Sequence, residues 1–555
     1  MIKENLTEIF ARSFRENWQR EALTDYGSAN ATITYGDLAR RIARLHLLFR
    51  LTGIDKGDKI AVMGKNQVTW VTVFMATITY GAVIVPVLAE FSPTDATHII
   101  NHSGAKMLFV SDSIFENLEP EKLPDVKAII SLDRRKLLSE LPPNDRLVEK
   151  SMRNLTRKFK AVYKSGFGPE DVVYEVLPKN TLALLNYTSG TTGFSKGVML
   201  SLNNLAGNVT FGLDQHIHFP GSRCLSFLPL AHAYGCAFDM LVPLAAGTHI
   251  TLFGRVPSPK LLLKALSEVR PSLVVVVPLI LEKIYKTRIV PLITRKPMSW
   301  ALAVPLLDKA IYGKIKSKLV EAFGGEFSQV IVGGAPLNKE VELFLHRIKF
   351  PFTVGYGMTE CGPLISYTPW QDFIPGSCGR TLPGIMESRI DSDNPEETPG
   401  EICVKGENVM LGYYRNPEAT EAVLDSDGWL HTGDIGTRNP DGTLFIKGRN
   451  KTMILSASGQ NIYPEEIESK LNNMPYVAES LAVQRANGLV ALVYPDYDRM
   501  DTDRLSVPDM APLMEQNRQE LNKIIAPYER INAIEMVPNE FQKTPKRSIR
   551  RFLYK

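Results

Sequence analysis

The residues best suited to chemistry lie at 188–197, TSGTTGFSKG. Gly190, Gly193 and Gly197 free the backbone to turn N–H groups toward an anion. Thr188, Ser189, Thr191 and Thr192 add hydroxyl donors, and Lys196 adds a mobile positive charge. Together these groups suit a polyphosphate. The common nucleotide loop places Ser or Thr after its lysine and opens a helix there, whereas Gly197 follows Lys196 here. That argues against a P-loop NTPase, and on composition alone a plain turn between strands fits equally well. A second grouping is TVGYGMTECGP, 353–363. Tyr356 offers a face for a base, Gly355 and Gly357 let the backbone approach, and Thr359 with Glu360 sets hard oxygens side by side, as magnesium prefers. A capped helix start explains the Thr-Glu pair just as well. A third is GWLHTGDIG, 428–436, followed by PDGTLFIKGRNKTMI, where the PDG turn brings Asp434 and Arg449 near each other on adjoining strands or loops. A surface salt bridge is the ordinary outcome for such a pair. His232 precedes a mostly apolar segment, a position where a lone histidine is usually hydrogen-bonded to backbone.

These groups need elements to hold them. The β-prone residues Leu182, Leu184, Leu185 and Tyr187 before the glycine-rich run, and Val198 to Leu200 after it, predict strand, loop, strand. Residues 203–214 read as a helix capped by Ser201, and 223–228, 273–278 and 329–334 read as strands. The last ends in glycine and so leaves its carboxyl end open to a ligand. From Leu6 to about Val110 helix and strand alternate, with a helix at 35–51, a strand at 59–63, a helix over His98 and His102 and a strand at 107–110, which implies layered α/β sheets. Residues 66–89 carry no charge and are long enough to cross a bilayer. Asn66, Gln67, Gly81 and Pro86 make a buried helix followed by a buried strand the simpler reading. The charged, proline-bearing text of 119–179 reads as loops and an exposed helix, its basic run a solvated face. Residues 284–319 are basic and interrupted by Trp and Pro; a helical hairpin, a lid and a membrane-touching patch all stay open. Residues 456–464 read as a loop, and Pro464, Glu465, Glu466 and Glu468 open a helix.

At 555 residues, 44% hydrophobic and 22% charged, the chain has the composition of an ordinary globular protein with a sizeable core. A net charge of +4 spread over this length implies no polyanionic partner and no nucleic acid. Cys224, Cys236, Cys361, Cys378 and Cys403 are odd in number and too widely spaced for a CxxC metal site, which favours a reducing compartment. The N-terminus shows no secretory pattern. These features place the protein in the cytoplasm, with peripheral membrane contact left open.

The order and spacing of the three groupings, together with GGAPL at 333–337, resemble the adenylate-forming (AMP-binding) superfamily of acyl-CoA synthetases, luciferases and peptide-synthetase adenylation domains. The resemblance spans essentially the whole chain. It implies an α/β fold, with a large N-terminal domain of layered sheets at 1–448 and a small mobile α+β C-terminal domain at 449–555. It also implies that Thr188, Ser189, Gly190, Thr191, Thr192, Gly193 and Lys196 hold ATP phosphates. Gly333, Gly334, Ala335, Pro336, Tyr356 and Gly357 then wall the adenine, Thr359 and Glu360 belong to the catalytic set with Glu360 on Mg²⁺, and Asp434 and Arg449 take the ribose. His232 falls on the acyl side, Lys451 at the hinge between domains, and Gly459 beside the pantetheine of coenzyme A.

The lysine-bearing hinge, the SASGQNIYPEEIE loop and the KTP ending look most like bacterial long-chain fatty acyl-CoA synthetases. The reaction implied is fatty carboxylate plus Mg·ATP to acyl-AMP and pyrophosphate, then transfer to CoA with release of AMP. An acyl carrier protein is an alternative acceptor, because its pantetheine arm is the same, and a non-catalytic nucleotide or lipid binder is a further alternative. The chain departs from the pattern at its end, EFQKTPKRSIRRFLYK, where Ser548 stands at the place of the family's catalytic lysine. Lys546 is the candidate substitute, since lysine reaches far on a mobile stem.

Overall fold

Strands such as Ile60–Val62 and Val83–Val87 are apolar on both faces, so they are stable only with cover on both sides. They form the middle of an eight-stranded sheet in the computed structural model, which describes residues 4–28, 32–141, 146–188, 196–255, 258–296, 301–302, 304, 307–455, 461–485, 488–544 and 549–554. Leu182–Thr188, Val83–Val87, Lys59–Met63, Ala105–Val110 and Ala128–Ser131 run parallel, with antiparallel strands at both edges. The uncharged stretch is helix Val68–Tyr80, stopped by Gly81 at φ +89°, and then strand Val83–Val87. Among the described residues no helix is long and apolar enough to cross a membrane. Helix Leu202–Asp214 is capped by Ser201, whose hydroxyl accepts the Asn204 N–H at 3.2 Å while Asn204 Oδ1 accepts the Ser201 N–H at 2.8 Å.

Residues 119–179 are more than loops and an exposed helix. They contain helix Leu147–Val162, but also strands Ala128–Ser131 and Leu137–Glu140, which extend the large sheet. Four residues in a charged context give too little alternation to read; pairing with Ala105–Val110 is what buries them.

A three-stranded parallel sheet of Val274–Val276, Val330–Val332 and Phe352–Val354 delivers the loops that begin at Val277, Gly333 and Gly355. The basic segment is helical, with Pro278–Ile284, Tyr285–Ile289 and Val290–Thr294 before Leu307–Ala322. Tyr285 and Tyr312, one from each arm, pack on Phe344 with ring centroids 5.1 and 6.1 Å away. An antiparallel sheet of Met386–Asp391, Gly400–Gly406, Leu430–Arg438 and Leu444–Arg449 follows.

Beyond it lies a three-stranded sheet, Val477–Arg485, Gly488–Pro495 and Ile531–Met536, packed with helices Pro464–Leu471 and Val507–Ile524. Its core of Ile462, Ile467, Leu471, Leu489, Val493 and Leu521 contains no residue from before 454. The loop expected at 456–464 is shorter than the sequence implied, because Asn461–Ile462 pairs with Ile454–Leu455. Residues 456–460, Gly459 among them, lie outside the described residues. Lys286 Nζ donates to the Asn472 carbonyl at 2.7 Å and Asn338 Nδ2 to Asn473 Oδ1 at 2.5 Å, tying the last sheet's helix to the body.

Candidate active site

The two strands that flank the glycine-rich run form a hairpin in which Thr188 pairs with Lys196. Residues 189–195, and so Ser189, Gly190, Thr191, Thr192 and Gly193, lie outside the described residues. The hairpin's outer strand pairs with Gly412–Tyr413. That pairing puts the Tyr413 ring under Lys196, whose Nζ stands 4.7 Å from the ring centroid. The Tyr413 hydroxyl donates to Glu360 Oε1 at 2.8 Å, and the Glu360 carbonyl accepts the Met410 N–H at 2.8 Å. One aromatic side chain therefore spaces Lys196 from Glu360. Burial, with the Glu360 carboxylate beside it, drives the Tyr413 hydroxyl's pKa well up, so it stays a donor. Nothing in GYY marked Tyr413 in the sequence; the strand pairing that places it joins residues more than two hundred positions apart.

Thr359 and Glu360 sit on a short 3₁₀ turn, Thr359–Cys361, that follows Met358. No side chain caps that turn, so the alternative reading as a capped helix start is not what is found. Both residues are half-buried. A hydroxyl and a carboxylate are hard oxygen donors and fit a magnesium ion. The expected neighbour of the ribose is also assembled. Asp434 is paired in register with Arg449, and its Oδ1 accepts Arg449 Nε at 3.0 Å. Its Oδ2 accepts the Tyr356 hydroxyl at 2.7 Å. Asp434 is buried while the Arg449 side chain is 69% exposed, so the charge pair itself adds little stability. Its value is positional, since both carboxylate oxygens are held in fixed directions. Burial first, and then the Asp434 charge, raise the Tyr356 hydroxyl's pKa far above its usual range.

Beside these groups lies a small cavity of about 50 Å³ lined by Phe211, Gln215, Ile217, Tyr234, Phe238, Ile331, Gly333, Gly334, Gly355, Tyr356, Gly357, Pro363, Leu364 and Tyr367. Apart from Gln215 and the tyrosine hydroxyls its side chains are apolar. Glycine is required at two of its walls by close approach. A Cβ on Gly333 would stand 2.9 Å from the Tyr234 ring, and one on Gly357 would run into the Pro363 carbonyl oxygen. Ala335 and Pro336 follow on the exposed loop. His232 stands at the start of helix Ala233–Cys236 and is not among the lining residues; Tyr234 and Phe238, two and six residues on, are. The apolar segment that His232 precedes thus lines the cavity through its aromatic residues.

Some expected residues are placed apart. Lys451 is exposed in the 3₁₀ turn Asn450–Thr452, between the last strand of the antiparallel sheet and the C-terminal sheet. Lys546 and Ser548 lie outside the described residues. Of the cations around them, Lys543 pairs with Glu479 at 2.5 Å and Arg551 with Glu468 and Glu465, so both are engaged within the C-terminal unit. All five cysteines are buried and none forms a disulfide.

Comparison with known proteins points the same way as this geometry. The profile of the AMP-binding enzyme family matches residues 10–414. A long-chain-fatty-acid–CoA ligase of Escherichia coli O6:H1 (strain CFT073) is 29% identical over 508 residues, covering 87% of this chain and 84% of that protein. The peroxisomal long chain acyl-CoA synthetase 7 of Arabidopsis thaliana is 30% identical over 504 residues, covering 84% of this chain and 69% of its own. Among solved structures, the anthranilate CoA ligase AuaEII in complex with anthranoyl-AMP superimposes with a TM-score of 0.76 at 18% identity, over 100% of this chain and 97% of that one.

Proposed function

The chain belongs to the AMP-binding enzyme family, and we propose that it activates a fatty acid, long-chain in its best substrates, first to acyl-AMP and then to acyl-CoA. In the first half-reaction the fatty carboxylate attacks the α-phosphorus of ATP and pyrophosphate leaves. In the second the CoA thiol attacks the acyl carbonyl and AMP leaves. The observation that carries the reading is the shared wall. Tyr356, Gly333 and Gly334, expected at the adenine, also line the apolar cavity, so an acid lying there would present its carboxylate to the nucleotide.

Residues 188–193 and Lys196 would hold the phosphates, and Asp434 with Arg449 would take the ribose. Glu360, steered by Tyr413 and flanked by Thr359, would hold Mg²⁺, which when bound neutralises phosphate charge. The division into 1–448 and 449–555 is supported by the separate core beyond 454. Lys451 would be the pivot, Lys546 would serve the first half-reaction in place of a lysine at Ser548, and Gly459 would line the pantetheine arm in the second. Peripheral contact with a lipid surface is supported by exposed Leu279, Leu292 and Leu307 close in sequence to Lys283, Arg288 and Lys309.

A second reading is an aromatic acid as substrate, favoured by the rings of Phe211, Tyr234, Phe238 and Tyr367 around the cavity. ATP–pyrophosphate exchange with a ladder of fatty acids and a set of aromatic acids, without CoA, separates the two. Adding CoA or a carrier protein then identifies the acceptor by AMP release. Exchange rising with chain length supports the proposal, exchange confined to aryl acids supports the second reading, and ATP binding without exchange would remove both.

A further inference from the structure

Strands Gly400–Gly406 and Leu430–Arg438 place Cys403 directly opposite His431. His431 Nδ1 lies 3.5 Å from Cys403 Sγ and 2.9 Å from Glu401 Oε2, and the three ligand atoms all fall within 4.8 Å of one another. Among the described residues this is the one such cluster of His, Cys, Asp and Glu. We propose that Glu401, Cys403 and His431 bind a single cation of the zinc class.

The donor set is a sulfur, an imidazole nitrogen and a carboxylate oxygen. That mixture selects a borderline cation and not magnesium. Ligand atoms around zinc stand roughly 3.3–3.8 Å apart when each bond is about 2.0–2.3 Å long; the His431–Cys403 pair already has that spacing, the His431–Glu401 pair opens by a few tenths of an ångström, and side-chain rotation about Cys403 and Glu401 sets the third. The outer groups are arranged to match. His431 Nε2 faces Asp425 Oδ2 at 3.9 Å, a carboxylate placed behind the imidazole as in sites where it orients a metal-bound histidine. Asp425 is itself fixed by the N–H groups of Trp429 and Asp427 at 2.8 and 3.0 Å. Glu401 Oε1 is held by the Gly433 N–H at 2.8 Å, which aims Oε2 at the histidine. The nearby cation, Arg389, is paired in register with Cys403 and hydrogen-bonds its sulfur, and it also stacks 4.5 Å over Trp429 and lies 3.8 Å from Asp425, so on ion binding it would leave the sulfur and stay with those two partners. On binding, the Cys403 thiol gives its proton to solvent and water fills the fourth position.

The ion would clamp the strand that carries Asp434, three residues beyond His431. Its site is separate from the hard-oxygen pair Thr359 and Glu360, and it does not depend on which acid the enzyme activates.

The test uses the full chain, stripped with a chelator, and Co²⁺ as an optical probe in the presence of excess Mg²⁺. The expected result is saturation at one equivalent, with a thiolate-to-cobalt charge-transfer band and tetrahedral d–d bands, both removed by Zn²⁺. Cys403→Ser should abolish the charge-transfer band, His431→Gln should weaken binding at least tenfold, and Cys224→Ser should leave both unchanged. Metal-free variants should melt as the metal-free parent does. If Cys403→Ser does not fold, the parent and Cys224→Ser titrations still decide. No charge-transfer band in the parent, or an unchanged band in Cys403→Ser, overturns the site.

Discussion

Tyr413 joins Lys196 and Glu360, the residues proposed to handle phosphate and magnesium, through its ring and its hydroxyl, and Tyr413→Phe removes the hydroxyl link alone. The ring remains under Lys196, so the cation–π contact at 4.7 Å survives, while Glu360 Oε1 loses the donor at 2.8 Å. Hydrogen bonds to charged groups contribute about 1.5–3 kcal/mol. Glu360 is half-exposed and water can replace part of the loss, so the low end applies. About 1.5 kcal/mol of lost orientation corresponds to roughly a tenfold fall in kcat/KM for ATP. Stability should change by less than about 1 kcal/mol, because no buried group is left without a partner. The assay is ATP–pyrophosphate exchange at varied ATP and saturating acid, with chemical denaturation in parallel. Tyr413→Ala, which also discards the cation–π contact, should be the more damaged of the two. An unchanged kcat/KM for ATP in Tyr413→Phe, or a loss confined to the KM of the acid, would refute the reasoning.

Other consequences can be measured with the same protein. His218 is buried with neither ring nitrogen partnered among the described residues, and burial pushes its pKa down from 6.5 to about 4. Its folded pKa lies below its unfolded one, so its stability contribution is full above pH 6.5 and is lost as pH falls toward 4, about 3 kcal/mol in all; His218→Leu should flatten unfolding curves over that window. Ile331→Phe fills part of the cavity and should shift exchange toward shorter acids, whereas an unaltered chain-length profile would detach the cavity from the acyl chain. Gly357→Ala forces a methyl group against the Pro363 carbonyl and should cost stability and activity together, read by thermal melting and exchange. Lys451→Pro should spare exchange and suppress CoA-dependent AMP release; intact overall turnover would rule out a pivot there.

Local grammar carried a large share of this protein. The two strands around residues 188–197, the Ser201 cap, the helix–strand pair inside 66–89 and the Asp434–Arg449 hairpin pair all follow from patterns that close within a few tens of residues: periodicity, capping chemistry and a turn signal. The order of the glycine-rich, TVGYGMTE and GWLHTGD groupings was also legible without coordinates. Four features came only from tertiary structure. Ala128–Ser131 is a strand because a parallel neighbour completes its hydrogen bonds, and four residues cannot announce that. Tyr413 reaches Glu360 and Lys196 through an edge-strand pairing across two hundred residues, which no local pattern encodes. The cavity is built by side chains from Phe211 to Tyr367, and Glu401, Cys403 and His431 meet through cross-strand register; in both cases the volume and the distances belong to packing, which composition and spacing leave free.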